Sequence, residues 1–299
     1  MAFPPSVNRT SSCKWPKVSG DGKSQTVNIF GFAIPGECLG WGAMPYTGPA
    51  LDVPRFFADL PPTAAAAGFA IEKFGEAAGW PLLALRRAAA KADAPVIYLS
   101  AGIHGDEPAG PLALRRLLKE KFFATHCHWL ICPALNPGGL AAKTRENPAN
   151  VDLNRDYREP LSPEAKQHRA FLQREQVGAN PRFVLSILLH EDWETQGYYM
   201  YELNRTAQPL LGPKVLAAVE PICGVDHSPV IEGMEATHGL ITRPVTNFEE
   251  RPLWPESLWL VLKHTDRSMT LEAPSAQDLE RRVAAHCAAV RTAIAALGI

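Results

Sequence analysis

The stretch "SAGIHGDEPAG", residues 100–110, sets His104, Asp106 and Glu107 on a turn between the apolar run Val96–Leu99 and a helix-like "PLALRRLLKE". Such a turn needs glycine for its backbone, but it has no use for three side chains of metal-ligand type. Loops at the carboxyl ends of strands are where open α/β sheets assemble their sites. Two more candidates end apolar runs: His190 closes "FVLSILLH", and Glu272 closes "SMTLE" just before the final helix. A sheet edge carrying all four would bring two imidazoles and two carboxylates together. Two histidines and one carboxylate, with a fourth position open, form a hydrolytic zinc ligand set. The remaining carboxylate is then free to act as general base on a water that zinc acidifies towards a pKa of about 7.

A fourth cluster supplies cations. After "HWLICPALNPGGL" comes "KTRENPANVDLNRDY", a loop with Arg145, Asp152, Asn154 and Arg155. Arg145 is suited to polarise a scissile carbonyl, a task for a fixed cationic donor. Asn154 and Arg155 are suited to hold a substrate carboxylate, since the planar guanidinium binds it bidentately. Asp152 is suited to orient His104 through the ring nitrogen that faces away from metal. Each motif has a plainer reading. His104 and Glu107 would do well merely at the start of a helix, and single arginines usually pair with acids such as Glu146, Asp156 and Glu159. The convergence of four strand ends and the Arg-x₈-Asn-Arg spacing outweigh those readings.

To meet, these residues need a sheet with its strand ends on one edge. The strand candidates are "WPLLALRRA", "PVIYLS", "HWLICPAL", "FVLSILLH", "GYYMYEL", "LWLVLKH" and "SMTLEA". The helix candidates are "PPTAAAAGFAIEKFGEAA" with Pro61 and Pro62 at its start, "GPLALRRLLKEKFFA", "PEAKQHRAFLQRE", "PKVLAAVEPIC" and the final "SAQDLERRVAAHCAAVRTAIAAL". In the last, Ser275 is expected to cap, with Asp278 three residues on. Several strands are continuously apolar, as sheets covered by helices on both faces require. The fold class expected is α/β with a mixed central sheet. Residues 1–60, rich in Pro and Gly, read as an irregular or small β-rich arm packed through Phe30, Phe32, Trp41 and Tyr46, and 61–299 as the catalytic domain.

The chain has 299 residues, a net charge of −1 and 46% hydrophobic residues, an ordinary globular balance with no electrostatic case for nucleic acid or membrane partners. No apolar stretch reaches the roughly 20 residues that span a bilayer, and no secretory signal is visible at the start. Cys13, Cys38, Cys127, Cys132, Cys223 and Cys287 follow no framework spacing, so reduced thiols and a cytoplasmic location are expected. "HCHWLIC" reads as a buried strand rather than a metal cluster. Glu191 and Asp192 flank a candidate ligand, either as supports for it or as a solvated loop. Tyr198, Tyr199 and Tyr201 read as core or wall, His238 as an exposed loop residue, and Met234 and Phe248 as structural. His126, His128, His168, His227, His264 and His286 carry no site argument.

Taken together, "HGDE", "NPGGL", "TRENPANVDLNRD", the strand-terminal His190 and "TLEAPS" resemble the zinc carboxypeptidase family over roughly residues 65–299. The nearest likeness within it is the bacterial murein tripeptide amidase branch. That resemblance implies one zinc per chain on His104, Glu107 and His190, with Glu272 as general base, Arg145 on the carbonyl, and Asn154 and Arg155 on a substrate carboxylate. It implies hydrolysis of an amide bond beside a free carboxylate, in a γ-D-glutamyl–diaminopimelate type of peptide. Two features depart from the family. "RPVTNFEERPLWPESLWLVLKH" shows no counterpart of the mobile tyrosine of digestive carboxypeptidases, and residues 1–60 do not resemble their inhibitory pro-domain. One alternative is an N-acyl amino acid deacylase of the aspartoacylase and succinylglutamate desuccinylase type, which shares the metal motif. Another is a non-catalytic binding module, which predicts the loss of Glu272 or a ligand. The partner expected is a small peptide or acyl-amino acid, with the oligomeric state left open.

Overall fold

A computed structural model describes residues 27–29, 32–34, 51–123, 125–175, 183–242 and 248–299. The chain divides into two compact units, Met1–Gly42 and Ala43–Ile299. In the first, strands β1 (Val27–Ile29) and β2 (Phe32–Ile34) pair antiparallel. The side chains expected to pack that arm (Phe30, Phe32, Trp41, Tyr46) lie outside the described residues.

The second unit is built on an eight-stranded mixed sheet, as the sequence predicts. In chain order its strands are β3 (Ala70–Ala77), β4 (Trp80–Arg87), β5 (Val96–Ala101), β6 (His128–Cys132), β7 (Leu185–Asp192), β8 (Tyr199–Asn204), β11 (Leu240–Thr242) and β12 (Arg267–Pro274). Strands β9 (Val230–Ile231) and β10 (Met234–Glu235) form a separate hairpin. The order across the sheet is β11-β8-β12-β7-β5-β6-β4-β3. The neighbours β6, β5, β7 and β12 run parallel, so their carboxyl ends share one edge. Residues of β7 from Leu185 to Glu191 are all buried, which is why the run reads as continuously apolar.

Helices α1 (Val53–Ala66), α2 (Ala109–Lys119), α5 (Gly212–Cys223) and α7 (Leu279–Leu297) share one core with Ile97, Leu99, Ile187, Leu189 and Leu271 of the sheet. Helices α4 (Pro163–Glu175) and α6 (Glu256–Lys263) cover the other face, where Tyr98, Leu188, Phe171 and Trp259 meet. Short α3 (Pro137–Ala142) follows β6.

Four expectations are corrected. The helix expected from Pro61 begins at Val53, where Asp52 accepts the Arg55 N–H at 3.0 Å. Pro61 and Pro62 sit inside it, and burial of Phe56, Leu60 and Ala64 holds the helix through them. Because Val53, Phe56 and Leu60 belong to this core, the boundary expected at 60/61 falls inside a helix, and the compact units divide at 42/43. The "AIEKFGEA" half is the edge strand β3, not helix. Its Glu76 N–H and C=O both bond to the Gln167 amide of α4 at 2.9 Å, an arrangement that tertiary packing imposes over local propensity.

The third correction is "LWLVLKH", which is helix α6. Its Leu258–Val261 run is continuously apolar because those residues are buried in the core, and "WPES" marks a helix start that the apolar run conceals. The fourth is the start of α7. Asp278, not Ser275, occupies its cap position, without a side-chain bond. Ser275 is kept out of the helix by its N–H bond to the Asp192 carbonyl at 2.8 Å.

Candidate metal centre and catalytic cleft

Two glycine-dependent loops bring the first ligands together. An ideal Cβ on Gly105 would lie 1.9 Å from the Gly139 carbonyl carbon, so the "HGDE" loop and the "NPGG" start of α3 can pack only with that position bare. The Gly105 N–H and the Asn136 Nδ2 then both reach the Arg145 carbonyl at 3.4 Å, which fixes the Arg145 loop against the turn after β5.

His104, Glu107 and His190 are buried together, 2%, 4% and 2% exposed. His104 Nδ1 lies 2.5 Å from Glu107 Oε1, and His190 Nδ1 lies 3.1 Å from Glu107 Oε2. The three candidate ligand atoms all fall within 4.8 Å of one another. Glu107 Oε2, close as it is to His190, makes no bond of hydrogen-bond geometry although it is fully buried. An under-satisfied buried carboxylate oxygen facing two imidazole nitrogens fits one small divalent ion, and this N, N, O donor set suits zinc.

The ring of His104 is held from behind. Its Nε2–H donates to Asp152 Oδ1 at 3.2 Å, which leaves Nδ1 turned to the ligand cluster. Asp152 Oδ1 also accepts the Asn154 N–H at 2.9 Å, and Oδ2 accepts Arg145 Nε at 3.1 Å. Arg145 Nη1 comes within 3.3 Å of His104 Nδ1 and 3.9 Å of Glu107 Oε1, so its guanidinium borders the cluster. Asn154 Oδ1 accepts the Glu256 N–H of α6 at 3.0 Å. Arg155 is half-buried, with Nη1 on the Asn154 carbonyl at 2.9 Å.

Glu272 is placed by strand pairing. In the parallel β7–β12 ladder it lies directly opposite His190, and in the antiparallel β8–β12 ladder directly opposite Tyr199. Paired residues on neighbouring strands project to the same face, so the Glu272 carboxyl shares the side of the sheet on which His190 stands.

The charges separate these carboxylates. Burial alone would raise Glu107, but His104 and His190 outweigh it and hold the group well below the usual carboxylate range. Asp152 behaves likewise: burial is overcome by the His104 bond and the charges of His104, Arg145 and Arg155. Glu272 goes the other way. Burial, helped by the negative charges of Glu107 and Asp192, pushes it up to about 8 against the pull of His190. Asp106 is raised to about 6, first by burial and then by Glu107. Glu107 and Glu272 thus sit in opposite electrostatic surroundings, one stabilised as a carboxylate and the other disfavoured as one.

Three residues, Glu256, His168 and Glu232, escaped the sequence reading. Glu256, fully buried, accepts Tyr98 OH at 2.8 Å and Ser100 Oγ at 3.0 Å, while its N–H fixes Asn154. His168 joins that network through Tyr98 OH at 2.9 Å and Tyr157 OH at 2.7 Å. Asp192, already singled out in the sequence beside His190, accepts Tyr199 OH at 3.0 Å. Glu232, at the tip of the β9–β10 hairpin, lies within electrostatic reach of Asp192, Glu194, Arg145 and Arg155. Burial and the two acids raise its pKa. Glu256 and Glu232 carry no local signal, because only the tertiary fold brings them near the site.

The family model for the succinylglutamate desuccinylase/aspartoacylase catalytic domain matches residues 93–219, less than half of the chain. A curated relative, carboxypeptidase SOL1 of Arabidopsis thaliana, is 34% identical over 80 residues, which are 23% of this chain and 16% of that protein. Among solved structures, one from Shewanella baltica OS155 assigned as a metallopeptidase superposes with a TM-score of 0.73 at 21% identity, covering 85% of this chain and 99% of that one. The metallo-carboxypeptidase of Pseudomonas aeruginosa, solved with (2-guanidinoethylmercapto)succinic acid, gives 0.62 at 16% identity, covering 83% and 69%. The fold is therefore that of the metallocarboxypeptidases.

Proposed function

We propose that this chain is a zinc-dependent hydrolase that cleaves an amide bond beside a free carboxylate. One observation carries the reading: Glu272 is locked in register with His190, beside a buried His104–Glu107–His190 cluster. Zinc held by those three residues would supply Lewis acidity, polarising a carbonyl and lowering the pKa of a water towards about 7. Glu272 takes the proton of the attacking water, whose oxygen bonds to the carbonyl carbon. As the C–N bond breaks, Glu272 delivers the proton to the departing nitrogen. Arg145 donates to the carbonyl oxygen as negative charge grows on it. Asn154 and Arg155 hold the substrate carboxylate, and Asp152 keeps His104 Nδ1 aimed into the cluster.

Charge supports a finer reading of the substrate. Glu232 is within electrostatic reach of the acids Asp192 and Glu194 as well as of Arg145 and Arg155, so acids and cations both act near the site. That balance favours a substrate with both a carboxylate and an amino group, and supports the diaminopimelate-type peptide suggested by the sequence. A second reading, deacylation of an N-acyl amino acid, is favoured by the match of residues 93–219 to the desuccinylase/aspartoacylase domain.

The test is Glu272→Gln, assayed on a γ-glutamyl–diaminopimelate peptide, a simple C-terminal dipeptide and N-acetyl- and N-succinyl-amino acids. The variant should keep its zinc and lose about 10²–10⁴-fold in turnover of whichever substrate the wild type cleaves. Near-normal hydrolysis by the variant removes Glu272 as the base. Preference for an acyl-amino acid over both peptides selects the deacylase.

A further inference from the structure

Glu191 follows His190 in β7, and strand alternation turns it to the opposite face of the sheet. There it is 5% exposed. Its Oε1 accepts the Ala109 N–H at 2.6 Å, and its Oε2 is ion-paired with Arg282 of α7. Ala109 is the first residue of α2 and stands two residues beyond Glu107. The helix has Pro108 at its cap position and no cap from its own side chains, so Glu191 satisfies one of its otherwise unbonded N–H groups from another segment. One buried carboxylate thus joins the strand end that carries His190 to the turn that carries Glu107, and α7 anchors it from behind.

We propose that Glu191 is a positioning residue of the metal centre, setting the distance between His190 and Glu107. The inference rests on the metal-centre reading above. It differs from a plain helix-capping role in what it governs: capping stabilises the fold, whereas this clamp sets the affinity for the ion. The molecule holds its own control. Glu202 of β8 makes the same kind of contact, accepting the Gly212 N–H of α5 at 2.8 Å and pairing with Arg267 at 3.2 Å. It stands near the carboxyl end of β8, which runs antiparallel to β12, and so at the sheet edge opposite the ligands.

The experiment measures zinc dissociation constants by chelator competition, and thermal unfolding of metal-free protein, for wild type, Glu191→Gln, Glu202→Gln and the double variant Glu191→Leu/Arg282→Met. The double variant replaces the buried pair by apolar groups, which protects the fold from a stranded charge. Glu191→Gln and the double variant should bind zinc about 10–100-fold more weakly, as loss of a group supporting a ligand typically does. Glu202→Gln should lose stability at unchanged zinc affinity. If Glu191→Gln does not fold, the double variant decides. Wild-type zinc affinity in either folded Glu191 variant overturns the proposal and leaves Glu191 a helix cap. A wild type that binds no zinc overturns the metal centre itself.

Discussion

Asn154→Asp should injure substrate binding more than Asn154→Ala, although aspartate is the closer replacement in shape. Asn154 Oδ1 is committed to the Glu256 N–H at 3.0 Å. The rigid amide therefore directs Nδ2 the other way, as a donor for a substrate carboxylate. Alanine removes that donor, and a hydrogen bond to a charged group is worth about 1.5–3 kcal/mol. Aspartate keeps the bond to Glu256 and turns the other position into a second carboxylate facing the substrate's own. At about 4 Å and an effective dielectric of about 20, that repulsion adds roughly 4 kcal/mol before Arg155 offsets part of it. KM should rise about 10–100-fold for Ala and about 10³-fold for Asp, with kcat less affected. Stability should be nearly unchanged for Asp, since Asp and Asn satisfy a helix N-terminus equally well. The assay is steady-state kinetics on paired substrates, one with the free carboxylate and one with its amide. On the amide the penalty of Asp over Ala should vanish. If Asp is no worse than Ala, or equally damaging on both substrates, Asn154 does not anchor the carboxylate.

Three further outcomes are expected. Metal analysis of purified protein should give about one zinc per chain, and His190→Ala should lose most of it; unchanged zinc removes His190 from the centre. Arg155→Lys should raise KM at least tenfold for carboxylate substrates because lysine cannot make the paired contact, and equal turnover of acid and amide by the wild type would refute that anchor. Burial holds His168 neutral, its pKa lowered from 6.5 to about 3. Between those values the unfolded chain binds the extra proton, so stability falls as pH drops below about 6.5. From pH 7 to 5 His168 should cost about 2 kcal/mol, read by thermal unfolding as the amount by which the pH-dependent loss of stability is smaller in His168→Gln than in the wild type; His286, likewise lowered to about 3, contributes equally to both proteins.

The placement of the candidate site residues was more legible in the sequence than the sheet that positions them. His104, Glu107, His190 and Glu272 stand at strand ends, where a run of apolar residues stops on a polar one, and that contrast survives without knowledge of the fold. The failures lie where burial overrides local signals. Helix α6 buries four consecutive apolar residues, Leu258–Val261, and that unbroken run hides the periodicity that separates helix from strand. Helix α1 runs through two prolines because three core residues hold it, and β3 has the composition of a helix but is kept straight by β4 and Gln167. Glu191 was legible only as a neighbour of His190, and Glu256 and Glu232 not at all, because what Glu191 and Glu256 bond to lies more than 20 residues away in the chain.

The pairing of Glu272 with His190 also bears on which insertions and deletions the gene can tolerate. Successive residues of a strand face opposite sides, so a slip of β12 by a single position would send Glu272 into the layer of α2 and α7 and bring Leu271 or Ala273 over the cluster. No intermediate slip retains half the function. Length changes within β7 or β12 should therefore be lethal to activity even where the protein still folds. The turn of the β9–β10 hairpin, which joins no central strand, can lengthen or shorten freely. Substrate range can drift there while the chemistry stays fixed.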